Sequence, residues 1–111
     1  MTPLTHDQAV TRAQELCAQL TLTEKVGQLN QRLYGFQTVM RSGSELTLSE
    51  EFRAEVFRFG GLGTLYGLYR ADPWSGRTRE NGLYGLDPVR AYNLAQRFVL
   101  EHSRLEIPML L

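Results

Sequence analysis

A glycine-rich apolar stretch, FRFGGLGTLYGLY (Phe57–Tyr69), limits the fold of this chain more than any other feature. A glycine pair stops a helix, and the apolar residues that follow it, 62–66, have the length of a buried β-strand. The next segment, 70–86, has no periodicity and many turn-forming residues. A structureless run of that length inside a compact domain is usually functional or disordered, and its aromatic residues favour order. We therefore predict a strand that leads into a long functional loop, 67–87.

Three helices are predicted before this strand. The first covers residues 7–20, is capped by Thr5 or Asp7, and carries an apolar stripe at helical spacing. The second begins near Leu22, where Thr21 and Glu24 have the spacing of a capping box. The stripe of the first helix contains Ala9, Val10, Ala13, Leu16, Cys17 and Leu20, and that of the second contains Leu22, Val26, Leu29 and Leu33. We expect Gly27 to permit the close approach of another backbone.

The third helix is predicted over residues 48–58. Thr47 and Glu50 repeat the capping-box spacing, Phe52 and Val56 lie on one face, and Gly60 ends the helix. Between the second and third helices we predict a short hairpin that turns at Ser42-Gly43. In its first strand Phe36, Thr38 and Met40 alternate with polar residues.

The second half of the chain reads as strand, loop, helix and strand. Asp87-Pro88 is a helix start, with Asp as the N-cap and Pro at the first helical position. Residues 107–111 are apolar without alternation, which is typical of a strand buried on both faces. Two parallel strands joined through a helix make a βαβ unit. The apolar stripe predicted for this helix contains Val89, Tyr92, Ala95, Phe98, Val99 and His102.

Composition excludes several classes of function. The 111 residues allow one domain, and 12 basic residues balance 12 acidic ones, so nucleic acid is not an expected partner. The apolar runs are too short to cross a membrane, and the amino terminus lacks the features of a secretory signal, so we predict a cytoplasmic protein. The single cysteine, Cys17, is expected to be a buried thiol. His6 and His102 do not have metal-ligand spacing, and Tyr66 replaces the third glycine of a dinucleotide motif, so no metal or cofactor is predicted.

A strand buried on both faces at residues 107–111 needs neighbours that one βαβ unit does not supply. A (β/α)8 barrel takes about 250 residues. The predicted fold is therefore α/β: an incomplete (β/α)8 TIM barrel, with N-terminal helices followed by one βαβ unit. The rest of the barrel is expected to pack on residues 107–111. The alternative is a small complete α/β domain with a two-stranded sheet.

Four stretches, in order, resemble glycoside hydrolase family 3, the β-glucosidase-like exo-glycosidases. LTLTEKVGQL (residues 20–29) resembles the family's opening "LTLEEKVGQL", and GGLGTL (60–65) resembles its glycine-rich first barrel strand. YNLAQR (92–97) resembles its "N-x-x-Q" helix, and SRLEIPMLL (103–111) resembles its "SRLGIPLLL" second strand. The chain departs from the family at Glu106, where a glycine is usual, and in a longer segment at 70–86.

The resemblance implies a part of an enzyme that hydrolyses O-glycosidic bonds, exo-acting on small β-linked oligosaccharides or aryl glycosides. It makes residues 1–111 the N-terminal portion of the barrel domain. The family's sugar-contacting acid and His-Gly pair, its nucleophilic Asp and its acid/base residue have no counterpart among these residues. No catalytic residue is therefore assigned, and the chain alone is expected to be inactive.

Candidate substrate contacts lie in the long loop. Trp74 offers an aromatic platform for a sugar face or, alternatively, anchors the loop. Arg70 and Arg77 can donate hydrogen bonds to hydroxyl groups or, alternatively, pair with Asp72 and Glu80. Asp72 precedes a proline and is also a turn former. A different class of function remains open: a small self-standing α/β module that binds carbohydrate or protein through Trp74.

Overall fold

The computed structural model describes residues 2–33, 35–67 and 88–110. These residues form a mixed α/β structure with four α-helices and a two-stranded antiparallel sheet. A 3₁₀ turn, Gly35–Gln37, precedes the sheet. In chain order the elements are α1 (His6–Gln19), α2 (Leu22–Gln28), β1 (Val39–Ser42), β2 (Glu45–Leu48), α3 (Glu50–Phe59) and α4 (Pro88–His102).

Capping residues and a terminal glycine in the sequence predict most of the observed helix ends. A capping box begins α2 at Thr21, as predicted, and Thr5, one of the two caps predicted for α1, begins that helix with a second capping box. Gly60 ends α3 in the left-handed conformation, with φ of 66°, also as predicted. The predicted cap of α3 at Thr47 is wrong, because Thr47 belongs to β2 and pairs with Met40. Ser49 caps α3 instead, and its hydroxyl accepts a 3.1 Å hydrogen bond from the Phe52 N–H.

The predicted hairpin is confirmed as β1 and β2, but Met40, one of the residues that alternate with polar residues in its first strand, does not face the core. Val39 pairs with Leu48 across the two strands. Both side chains are buried, whereas Met40 is 45% exposed. Successive strand residues point to opposite faces, so the burial of Val39 turns Met40 outward.

The two predicted strands of the βαβ unit lie side by side and are parallel, but they meet in one bridge, between Thr64 and Leu110. The N–H of Leu65 donates to the Leu110 carbonyl at 2.9 Å, and the N–H of Leu110 donates to the Gly63 carbonyl at 2.8 Å. Met109 is buried, but Leu110 is 71% exposed. The prediction that residues 107–111 are buried on both faces is therefore wrong at Leu110, because the core of the described residues lies on the Met109 side only.

One core joins α3, α4, the hairpin and the bridged segments. Phe52 and Val56 of α3 are fully buried, as predicted. In α4 the predicted stripe is confirmed at Ala95 and Val99, which are fully buried, and at Tyr92 and Phe98, which pack against the core. It is wrong at Val89, which is 63% exposed, because Ala91 faces the core instead. The full core contains Leu33, Val39, Leu48, Phe52, Val56, Leu62, Leu65, Ala91, Ala95, Val99 and Met109.

The N-terminal helices contribute little to this core. No residue of α1 is buried, and the thiol of Cys17 is exposed, so the predicted buried thiol is wrong. The predicted face of α2 is also wrong, since Leu22 is 78% exposed and Leu29 is 86% exposed. Its buried residue is Gly27, which packs against Phe59 so closely that a Cβ there would lie 2.5 Å from the Phe59 Cβ. An apolar stripe marks a helical face, but whether that face is buried depends on what approaches it.

Candidate functional site

The carboxyl end of the parallel pair is the place in this fold where α/β proteins build binding sites. The chain leaves the first bridged segment there, at Tyr66 and Gly67, and enters α4 at Pro88. The opposite end of the pair is marked by Gly61 and Ser103, which are neighbours: a Cβ on Gly61 would lie 3.8 Å from the Ser103 Oγ. The first turn of α4 therefore lies at the same end as Tyr66.

The residues predicted to contact substrate lie between these two points and outside the described residues. They are Arg70, Asp72, Trp74 and Arg77. The predicted helix cap, Asp87, also lies outside them. Of the predicted loop 67–87, only Gly67 belongs to the described part of the chain. The roles of these side chains stay predictions.

Asn30 and Gly35 support the first bridged segment at this end. The Thr64 N–H donates to the Asn30 carbonyl at 3.1 Å, and the Gly35 N–H donates to the Tyr66 carbonyl at 2.8 Å. The buried amide of Asn30 is held in turn by Glu55 of α3, with Nδ2 donating to Oε2 at 2.7 Å. The Tyr66 side chain is 45% exposed at the end of this segment.

The described residues line two clefts along α4. The smaller, about 280 Å³, lies between β2 and the first half of α4, next to the start of the helix, and the larger, about 430 Å³, lies toward the second half. Amide and guanidinium groups in the smaller cleft are hydrogen-bond donors of the kind that hold hydroxyl or carboxylate oxygens. Its lining residues are Leu46, Arg90, Asn93, Leu94 and Arg97; those of the larger cleft are Asn93, Gln96, Arg97, Leu100, Glu101 and Glu106.

Sequence reasoning did not find this cleft. Arg90, Asn93 and Arg97 recur at helical spacing on the polar side of α4, which is typical of a solvated face. The signal that distinguishes them is tertiary: Leu46, on β2, forms the other wall. The cleft lies beside Pro88, where the predicted loop would return to the described part of the chain.

The carboxylate with the clearest electrostatic perturbation lies at the other end of the parallel pair. Arg104, just after α4, donates from Nη2 to the Glu24 Oε1 at 2.8 Å and to the Gln19 carbonyl at 2.7 Å. The Arg104 guanidinium, with a smaller contribution from the Thr21 N–H, lowers the pKa of Glu24 to about 2. This pair ties the ends of α1 and α2 to the turn after α4, so it stabilises the fold and is remote from the candidate site.

Acid should remove the contribution of Glu24 to stability. Because its pKa is lower in the folded chain, the stabilisation is present above the ordinary value of 4.5 and is lost as the pH falls from there toward about 2. Glu24→Gln should lower the urea midpoint at neutral pH. In this variant the urea midpoint should also fall less than in the unaltered chain as the pH drops from 4.5 toward about 2. Glu15→Gln is the control, since Glu15 forms only an exposed pair with Arg12 at 3.4 Å. An unchanged acid decline in Glu24→Gln would contradict this assignment.

The described part of the chain meets the requirements of neither a metal cluster nor a membrane-spanning helix. Residues 2–33, 35–67 and 88–110 contain no group of three or more His, Cys, Asp or Glu side chains placed to hold a metal ion. His102 is instead engaged with the Phe98 carbonyl, 2.8 Å from its Nδ1. Over the same ranges no helix has the length and apolar character needed to span a bilayer.

Comparison with known proteins gives no relative for this chain. No protein-family model matches it, and neither the curated proteins nor the solved structures contain a match.

Proposed function

We propose that this chain is the first part of the (β/α)8 barrel of a family 3 glycoside hydrolase, which cleaves O-glycosidic bonds in small β-linked oligosaccharides or aryl glycosides. The observation that carries the proposal is that the four stretches resembling the family contact one another. The first two are far apart in the sequence from each other and from the other two, and each contact uses residues that belong to the resembling stretches themselves.

The first and second stretches meet through glycines. The Gly63 N–H donates to the Gly27 carbonyl at 3.0 Å. A Cβ on Gly63 would lie 2.9 Å from the Gln28 Cα and closer still to the Gln28 carbonyl. Backbone contact this tight excludes any side chain, which gives a physical reason for the glycine of GGLGTL.

The fourth stretch contacts the other three. Its Leu110 pairs with residues 63–65 in the parallel bridge. Its Arg104 forms the ion pair with Glu24 of the first stretch. Its Met109 bonds through both backbone groups to Gln96, the glutamine of the "N-x-x-Q" stretch.

The departure at Glu106 also fits the proposal. Glu106 has φ of 54°, in the left-handed region that glycine adopts without strain. The family's usual glycine at this position would suit the same turn. The turn is held by the Glu106 N–H, which donates to the Ser103 carbonyl at 2.9 Å.

Under this proposal, sugar binds at the carboxyl end of the parallel pair, with Trp74 as an aromatic platform and Arg70, Asp72 and Arg77 as polar contacts. Retaining hydrolysis needs two carboxyl groups about 5 Å apart, and we place both in the remainder of the barrel, beyond residues 1–111. That remainder would pack on residues 107–111. No cofactor takes part in the reaction.

A chimera tests the proposal. Residues 20–111 replace the matching segment of a characterised family 3 β-glucosidase, and release of p-nitrophenol from its β-glucoside is measured. We expect an active chimera, and no activity from residues 1–111 alone. Trp74→Ala in the chimera should raise KM several-fold, because an aromatic contact is worth about 1 kcal/mol, whereas Trp74→Phe should largely restore it. A folded chimera without activity, or hydrolysis by the isolated chain, would contradict the proposal.

A further inference from the structure

The backbone of Met109 is paired with a side chain. Its N–H donates to the Gln96 Oε1 at 3.0 Å, and its carbonyl accepts from the Gln96 Nε2 at 3.0 Å. The second Nε2 proton goes to the Tyr92 hydroxyl at 2.7 Å. The opposite amide orientation would set donor against donor and acceptor against acceptor, so the partners fix this one.

This pairing occupies one edge of the parallel pair. Successive residues of a strand direct their backbone groups to opposite edges. Leu110 directs its groups to residues 63 and 65, so the groups of Met109 face the outer edge, where another strand would pair. A primary amide presents an acceptor and a donor side by side, as a peptide group of a neighbouring strand does.

The other edge of the pair is covered by main chain. There the Thr64 N–H bonds to the Asn30 carbonyl, and the Tyr66 carbonyl accepts from the Gly35 N–H. Asn30 and Gly35 thus satisfy backbone groups of the first segment, as Gln96 satisfies those of the second. Unpaired strand edges recruit other chains, and proteins commonly block them.

We propose that Gln96 covers the outer edge of the second bridged segment at Met109, and that this edge, once uncovered, pairs with the same edge of a second copy of this chain. Met109 offers one donor and one acceptor, so two copies related by a two-fold axis satisfy each other. The Leu110 side chain, 71% exposed beside it, adds apolar contact area. The inference does not depend on glycosidase activity, although a following barrel strand would use the same edge.

The first test needs no variant. Amide hydrogen exchange of the unaltered chain should show protection at Met109, although the hydrogen bond acceptor is a side chain, with Leu110 as the internal reference. Sedimentation should show a monomer. Exchange at Met109 as fast as at an unprotected amide, or a dimer of the unaltered chain, would overturn the inference.

The second test removes the two hydrogen bonds that hold the Gln96 side chain over the Met109 backbone. Gln96→Leu keeps the side chain's size but offers no hydrogen bond, so exchange at Met109 should accelerate about tenfold, the worth of one hydrogen bond. Exchange at Leu110 should change less, and sedimentation should show a concentration-dependent dimer. Gln96→Met, unbranched and helix-favouring, should behave in the same way and serves if the leucine variant unfolds.

Asn93→Leu is the matched control. Asn93 is exposed on the same helix, one turn earlier, so this variant adds the same apolar side chain without touching Met109. It should stay monomeric, with Met109 protected. Equal dimerisation of the Asn93 and Gln96 variants would show that surface apolarity, rather than the strand edge, drives association and would overturn the inference. A monomeric Gln96→Leu with fast exchange at Met109 would also overturn it.

Discussion

Gly63→Ala is expected to lower the free energy of unfolding by about 3 kcal/mol, the upper range for overpacking a tightly packed site. The added Cβ would lie 2.9 Å from the Gln28 Cα and closer to the carbonyl of the same residue. Main chain cannot move aside as the end of a flexible side chain can. Relief requires α2 to withdraw, which breaks the 3.0 Å bond from the Gly63 N–H to Gly27 and strains the bridge to Leu110.

Urea unfolding followed by circular dichroism measures this loss. Gly43→Ala is the control, because Gly43 lies in the hairpin turn with φ of 61° and with no atom within 4 Å of the added Cβ. Gly43→Ala should lower the free energy of unfolding by about 1 kcal/mol, because alanine is less favourable than glycine in this left-handed backbone conformation. Equal losses for the two variants would mean that close approach is not the reason for glycine at position 63.

Phe52→Ala is expected to lower the free energy of unfolding by about 3–5 kcal/mol, as large-to-small changes of buried aromatic residues do. Phe52 is fully buried, and its ring centroid lies 6.0 Å from that of Phe98 on α4. Its removal leaves a cavity at the point where α3, α4 and the hairpin share one core. The expected result is a urea midpoint far below that of the unaltered chain.

Phe57→Ala supplies the comparison on the same helix. Phe57 is 60% exposed, although its ring packs edge-on against two other rings. Its ring centroid lies 5.5 Å from that of Phe98 and 4.7 Å from that of His102. Loss of these ring contacts should lower the free energy of unfolding by about 1 kcal/mol. If Phe57→Ala were the more damaging of the two, the core of the chain would lie elsewhere than described.

The parallel pair beside the candidate site was predictable from the sequence, but the cleft along α4 was not. The order strand, loop, helix and strand predicts that the loop leaves the carboxyl end of a parallel pair, and the bridge between Thr64 and Leu110 agrees with that order. The substrate contacts proposed from the resemblance, Trp74 among them, lie outside the described residues. The cleft formed by Arg90 and Asn93 against β2 was not predictable. Polar residues that line a cleft have the same helical spacing as polar residues on a solvated face, and only the position of β2 distinguishes them.

What the sequence alone determined is local. The capping boxes at Thr5 and Thr21, the hairpin turn and the stop at Gly60 depend on hydrogen bonds and backbone angles within about four residues, so nearby residues suffice to predict them. Tertiary structure decided which apolar surface is buried: Val39 rather than Met40, Ala91 rather than Val89, and nothing of α1. It also decided that Gln96 satisfies Met109, thirteen residues away. Burial and long-range pairing depend on which elements pack together. The periodicity of one element gives no information about the elements that pack against it.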